Sequence, residues 1–400
     1  MEWTKDPTPV NRSILKELLD RIGYGLGSWQ YVNIIFFAIG SPLYIIAAFN
    51  GTRVFFTGLF SSYAKTFDST SRGIMLSGCL LAISFFVLGY AAYAKILRLF
   101  FAAAIVGGCA AVVYAEQYQT VFRSIVEKLR KPRIASQVAA YGTIITLTAM
   151  FFAAVFLDRK ILSYSMMLTL AGVAFLMATF AVGRIAKTEH EPHRSVLKMV
   201  ADQWREYKKS SLLVVILFCS SLSGMVNTFG NAFYGIFIFK YMTLTGFGGF
   251  TNVAVIFMVG LLAVLIAPSI TRLNAVRYGK FPMLVFGTLL MAILPLSYYY
   301  KPNLLSIALG TIIGIVGAAI VGTSQGLVIM DTLRDEDRKK FFRFNSTVSV
   351  LPYIIFVPLV SWLVHTVDMR LLFFMLSLTL AAVVAPLYFV VVALHYKERV

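Results

Sequence analysis

Two charged residues lie where charge is costly. Glu116 is the one carboxylate among eighteen acids that falls deep inside a long apolar run, and Arg53 is the one base near the middle of such a run. A charge at the centre of a bilayer costs about 2.5–3.5 kcal/mol on insertion scales, so such groups mark function or pairing. Read as function, Glu116 is a proton-coupling or substrate-binding carboxylate whose ionisation Arg53 or Arg123 tunes. Read as structure, Glu116 and Arg53 form an ion pair that locks two helices. The neutral polar candidates are Gln30 and Asn33 in the first run, and Asn227, Asn231 and Tyr234, with Lys240, in the seventh. Asn227 and Asn231 are four apart and share a helical face. Groups of this kind hold a hydrogen-bonding solute or tie neighbouring helices together, and both readings stand. No Ser/His/Asp or Cys/His constellation accompanies them, so the chain is expected to be neither an enzyme nor a holder of a cofactor or metal. His190-Glu191-Pro192-His193 is metal-capable by type, but Pro192 breaks any regular ligand face.

The elements that must position these residues follow from composition. Of 400 residues 59% are hydrophobic and 14% charged, well short of the quarter or so of charged residues in a soluble globule. A mean hydropathy of +0.79 and repeated apolar runs of about twenty residues call for helices solvated by lipid. The runs lie near 22–40, 43–64, 73–94, 98–125, 134–157, 161–183, 211–242, 250–271, 281–300, 304–329, 345–365 and 371–395, giving twelve transmembrane helices in an all-α membrane protein. Cys79, Cys109 and Cys219 all sit in such runs, which excludes a disulfide framework.

The net charge of +18 has the same origin. With the N-terminus inside, about 27 Lys and Arg fall on inner segments and 6 on outer loops, which is the positive-inside bias and needs no nucleic-acid partner. Both termini are therefore expected in the cytoplasm and the chain in the cell (inner) membrane. Pro7, Pro9 and mixed charge in the first twenty residues do not read as a cleaved signal. Residues 1–21 read as an inner amphipathic lead-in, 22–183 as one six-helix bundle, 184–210 as an inner linker, 211–395 as a second bundle and 396–400 as an inner tail.

Shifting the chain on itself by 208 residues lays Ala110–Gln117 on Ala318–Gln325, and by 209 lays Gly51 on Gly260 and Gly78 on Gly287. Six crossings is an even number, so the copies are parallel repeats. A six-plus-six chain with a charged central linker resembles the major facilitator superfamily. Its loops resemble, in degenerate form, the glycoside-pentoside-hexuronide:cation symporters, the melibiose-carrier branch. Four segments carry that resemblance: Asp20-Arg21-Ile22-Gly23-Tyr24-Gly25-Leu26-Gly27, the stretch from Arg53 to Arg72 ending Asp68-Ser69-Thr70-Ser71-Arg72, the loop Glu127–Arg133, and the loop Asp331–Lys340. The resemblance implies a solute cavity lined by the first helices of each half and alternating access. It also implies an inner latch of loop charges, here Asp68, Arg72, Arg272, Arg277 and Asp331. Asp68 is expected to meet an arginine of the other loops, and Asp331, Asp335, Glu336 and Asp337 the bases of Lys128–Arg133.

The departures bear on the coupling ion. The branch carries two aspartates three and seven residues after a helix 2 arginine, and here those places are Phe56 and Phe60. Phenyl rings offer a small cation no oxygens, so a proton is favoured over sodium. The leading expectation is a monomeric secondary transporter of a small organic solute, a glycoside or another neutral polar or amphipathic compound, coupled to protons through Glu116. The apolar helix 2 keeps open a lipid or lysolipid substrate, and the missing carboxylates keep open a transport-inactive receptor or assembly partner.

Overall fold

The computed structural model describes residues 8–64, 71–129, 132–182, 203–205, 207, 208, 210–242, 248–300 and 302–397. All regular structure among them is helical. The helices are α1 (Thr8–Leu26), α2 (Trp29–Ala38), α3 (Leu43–Ala64), α4 (Ser71–Ala94), α5 (Leu97–Leu129), α6 (Pro132–Asp158), α7 (Tyr164–Val182), α8 (Ser211–Tyr241), α9 (Gly249–Tyr278), α10 (Lys280–Tyr300), α11 (Leu304–Thr332), α12 (Asp335–Val348), α13 (Tyr353–Thr366), α14 (Met369–Leu378) and α15 (Ala385–Lys397). Three pairs are single spans with an interruption: α1 with α2, α12 with α13, and α14 with α15, the last joined through a π-helical stretch at Thr379–Val384. Counted so, the helices form the twelve spans of a two-repeat fold. Ten helical segments among the described residues are long and apolar enough to cross a membrane alone. The first span falls short because it is split, and the eighth enters as the shorter apolar stretch Gly249–Val264 among the described residues.

The splits have local causes. Between α1 and α2 the chain turns at Gly27, where an added Cβ would stand 2.4 Å from a Phe85 ring carbon. Ser28 then caps α2, its hydroxyl accepting from the Tyr31 N–H at 3.4 Å. Between α12 and α13 the turn at Ser349–Pro352 leaves carbonyls without helical partners. The Ser221 hydroxyl donates to the Ser349 carbonyl at 2.8 Å, and the Thr228 and Tyr353 hydroxyls share a hydrogen bond of 2.7 Å. Irregular backbone at this depth persists only when protein groups satisfy it.

The chain forms two compact units: Met1–Pro42 with Thr52–Arg194 and Leu244–Ala254, and Leu43–Gly51 with Ser195–Thr243 and Val255–Val400. Two helices are therefore divided: α3 starts in the second unit and continues in the first, and α9 starts in the first and continues in the second. In the second unit Tyr234, Phe237, Tyr298 and Phe373 form an aromatic core, with the Tyr234 and Tyr298 centroids 4.5 Å apart. Such pairs add about 0.5–1.5 kcal/mol each beyond the area they bury.

In the first unit α1 runs unbroken from Thr8, so the stretch expected as a lead-in is continuous with the first span. Its Lys16 and Asp20 are 2% and 4% exposed and paired at 2.6 Å. The Lys16 ammonium also lies over the Tyr118 ring, 3.0 Å from its centroid, and the Tyr114 hydroxyl donates to Asp20 at 3.3 Å. Taking both charges out of water costs about as much as their mutual attraction returns. The pair thus defines register at little net gain, which gives an expected mutational pattern. Lys16→Met or Asp20→Leu alone should destabilise by about 3–5 kcal/mol, while the double replacement should recover most of that loss, read from thermal unfolding midpoints of the purified protein.

Candidate functional site

Each unit presents its own polar face. In the first, Arg53 projects from α3 toward α2 and α5. Its guanidinium lies over the Trp29 indole, 4.2 Å from the ring centroid. Its stem packs on Gly108 of α5, where an added Cβ would come within 3.1 Å of the Arg53 Cγ. An aromatic face beneath a guanidinium stabilises the charge by about 0.5–2 kcal/mol, more as water is excluded. Trp29 is backed in turn by Phe85 at 6.4 Å. Gln30, next to Trp29, is half-buried with its carbonyl oxygen Oε1 enclosed and without a hydrogen bond, and Asn33 one turn on is 3% exposed.

Glu116 is half-buried on α5, eight residues beyond Gly108 and so about 12 Å along the axis from the Arg53 stem. Among the described residues of this unit, Lys16 and Asp20 form an ion pair with both partners buried. Tyr31 is fully buried and donates to the Met150 carbonyl at 2.8 Å. Phe56 and Phe60, at the places of the branch aspartates, are 38% and 42% exposed along α3.

In the second unit α8 is buried along most of its length, yet Asn227 and Asn231 are exposed, one turn apart. A lipid-facing surface at this depth would be apolar, so two exposed amides on a mostly buried helix suit a wetted face better than a lipid-facing one. Lys240 is exposed in the last turn, over the Tyr241 ring at 4.9 Å, where a cation also suits the helix C-terminus. Tyr234 is buried in the aromatic core.

Sequence reasoning passed over a second polar group in this unit. The Gln325 amide of α11 donates to the Ser220 hydroxyl at 3.1 Å and to the Tyr388 hydroxyl. Thr323 beside it is exposed, and no heavy atom lies within 4 Å of where a Cβ would stand at Gly322 or Gly326. The repeat that aligns Gln325 with Gln117 was the available signal. Asp158 was also passed over, because an acid at the end of a span reads as loop. Its carboxylate in fact binds the start of α9.

Of the expected latch, Asp331 pairs with Lys280 in its own unit and Arg72 is exposed. Asp337 pairs with Lys340 at 2.9 Å, and the Arg338 Nε–H donates to the Leu333 carbonyl at 2.9 Å, covering the end of α11. Asp68 and His190–His193 lie outside the described residues, as do the side chains of Arg123, Arg272 and Arg277. No group of three metal-capable side chains occurs among the described residues.

Solved structures share this fold across nearly the whole chain. A mutant of the nucleoside transporter NupG superposes with a TM-score of 0.77 at 14% identity, covering 97% of this chain and 99% of that one. The POT family transporter PepTSo gives 0.74 at 11% identity, covering 99% of each chain. A D-xylose-proton symporter gives 0.60 at 13% identity, covering 94% and 96%. No curated protein matches the chain. These neighbours are membrane transporters and not enzymes. The sequence profile of the Major Facilitator Superfamily matches residues 33–342, more than half of the chain, and the chain belongs to that superfamily.

Proposed function

We propose that this secondary transporter moves a small, hydrogen-bonding organic solute by alternating access, coupled to protons through Glu116. The observation that carries the reading is the exposed amide pair Asn227 and Asn231 on a helix buried along most of its length. On the first unit the candidate solute contacts are Gln30, Asn33 and the indole-backed Arg53; on the second they are the two asparagines, with Lys240 near the end of the same helix. A glycoside suits this set of amides and aromatic rings. The start of α1, Tyr24-Gly25-Leu26-Gly27, supports kinship with the glycoside symporters. Phe56 and Phe60, standing where that branch has its sodium-coupling aspartates, support the proton over sodium. The excess of Lys and Arg on one set of loops supports termini in the cytoplasm and residence in the inner membrane.

A lysolipid substrate is the second reading. The exposed Phe56 and Phe60 on α3 favour it, since an acyl chain needs an apolar wall where a sugar needs acids.

Thermal stabilisation of the purified protein by sugars, glycosides, organic anions and lysolipids, at two pH values, decides between them. A bound solute at a hundred times its Kd should stabilise by about 2.7 kcal/mol. Stabilisation by a glycoside that depends on pH, and loses that dependence in Glu116→Gln, is the expected result. Response to lysolipids alone makes the second reading correct, and no response to any compound counts against both.

The asparagines have their own signature. Replacing both Asn227 and Asn231 by Leu should weaken solute binding by about tenfold or more, each lost hydrogen bond contributing about 0.5–1.5 kcal/mol. Because both are exposed, the unliganded unfolding midpoint should barely move, within about 0.5 kcal/mol. Isothermal titration of the double variant with the stabilising solute checks the first expectation and a melt without solute the second.

A further inference from the structure

The start of α9 belongs to the first unit although the rest of that helix belongs to the second. Asp158, the last residue of α6, holds it there. Its Oδ1 accepts from the Phe250 N–H at 3.1 Å, and its Oδ2 from the Thr251 N–H at 2.7 Å and the Thr251 hydroxyl at 2.6 Å. Gly248 makes room for the carboxylate, since a Cβ there would stand 2.2 Å from the Asp158 Cγ. The Phe250 ring, 2% exposed, is gripped by Tyr31 at 5.8 Å and Tyr164 at 5.7 Å. Thr251 and Asn252 are 2% and 0% exposed.

A helix N-terminus is ordinarily capped by the residue just before it, which stays with the helix whatever the helix does. Here the capping acceptor lies 92 residues earlier than Phe250, on another helix, and the position before α9 is a glycine. A cap supplied from elsewhere can be withdrawn. Asp158 also stands at the C-terminal end of α6, where a negative charge is disfavoured by that helix's own dipole until the amides of α9 cover it. Closed, the contact joins a carboxylate, two backbone amides and a hydroxyl in charge-assisted hydrogen bonds, and opening it leaves all of them to water.

We propose that Asp158, Gly248, Phe250 and Thr251 form a detachable latch: the start of α9 plugs into an aromatic socket and is capped by Asp158 in the state seen here. It withdraws when the transporter opens on the side opposite its termini. This side follows from the five spans that precede Asp158. The latch depends on no particular solute and stands apart from the identity of the substrate.

Cysteine accessibility tests it. With Cys79, Cys109 and Cys219 replaced by Ser, a single cysteine is placed at Val253, 0% exposed beside the plug. In parallel, another is placed at Ala171, 0% exposed on α7 away from it. Alkylation by a water-soluble maleimide is followed without solute. Asp158→Ala and Gly248→Ala should each speed labelling at 253 about tenfold or more, as loss of a charge-assisted cap allows, and leave 171 unlabelled. Thr251→Val, which keeps both backbone bonds, should give a smaller rise. Unchanged labelling at 253 in both Asp158→Ala and Gly248→Ala would overturn the latch. Equal acceleration at 253 and 171 would overturn it too, by showing that the cap serves overall stability.

Discussion

Lipid offers no hydrogen bond to a peptide group, and the architecture of this chain follows from that constraint. Runs of about twenty apolar residues become helices because every internal N–H and C=O is then satisfied within the run. The informative places are those where a helix stops inside the membrane-spanning fold, for there a side chain must do what the next turn would have done. Ser28 does so for α2, and Ser221 for the carbonyl freed after α12. Asp158 does so for α9, from a distance in sequence. Each interruption is located by the residue that satisfies it. The chain can therefore bend at Gly27 and at Ser349–Pro352 without exposing backbone to an apolar solvent.

The same low-dielectric surroundings govern the charges. Buried charge persists when its field is answered locally, and the protein answers it in three different ways. Lys16 and Asp20 answer one another under two tyrosine rings, Arg53 is set on the indole of Trp29, and Asp158 faces the amides of a helix start. The first arrangement is closed on itself and fixes how α1 sits. The second holds a cation over an aromatic plane beside the half-buried Gln30. The third joins elements assigned to one unit by residues distant in sequence, and this makes it responsive to conformation. Similar electrostatics thus serves a staple, a cation set on an aromatic plane and the proposed latch, according to what supplies the opposite charge.

Much of the fold was legible in the sequence because hydropathy reports directly on lipid. The repeat was legible because Gly51, Gly78 and Ala110–Gln117 recur in order. The first span was legible only in part. Lys16 and Asp20 suggested a wet surface helix, and nothing local says that Tyr114 and Tyr118, almost a hundred residues on, would enclose them. The split in the eleventh span hides for a similar reason: Val350-Leu351-Pro352 is apolar, and apolarity reads as helix. Among the site residues, Asn227 and Asn231 stood out because polarity inside an apolar run is conspicuous. Asp158 did not, because an acid at the end of a run is ordinary until the fold brings a helix start to it.

The divided helices show how one repeat can acquire two chemistries. The start of α3 belongs to the second unit, where Tyr44 meets His365 at 5.5 Å and Gly51 accepts the Val357 side chain in close contact. The start of α9, its counterpart by the repeat, belongs to the first unit and is held by a carboxylate and an aromatic socket. These two contacts of the first attachment are apolar and aromatic, and such contacts weaken gradually as surfaces slide. The second is made of short directional hydrogen bonds to a charge, which hold over a few tenths of an ångström and then are lost. A motion that loosens both attachments meets little resistance from the first and a defined threshold at the second. The asymmetry between two copies of one ancestral element therefore places the switching behaviour at α9, although the two helices occupy equivalent positions in the fold.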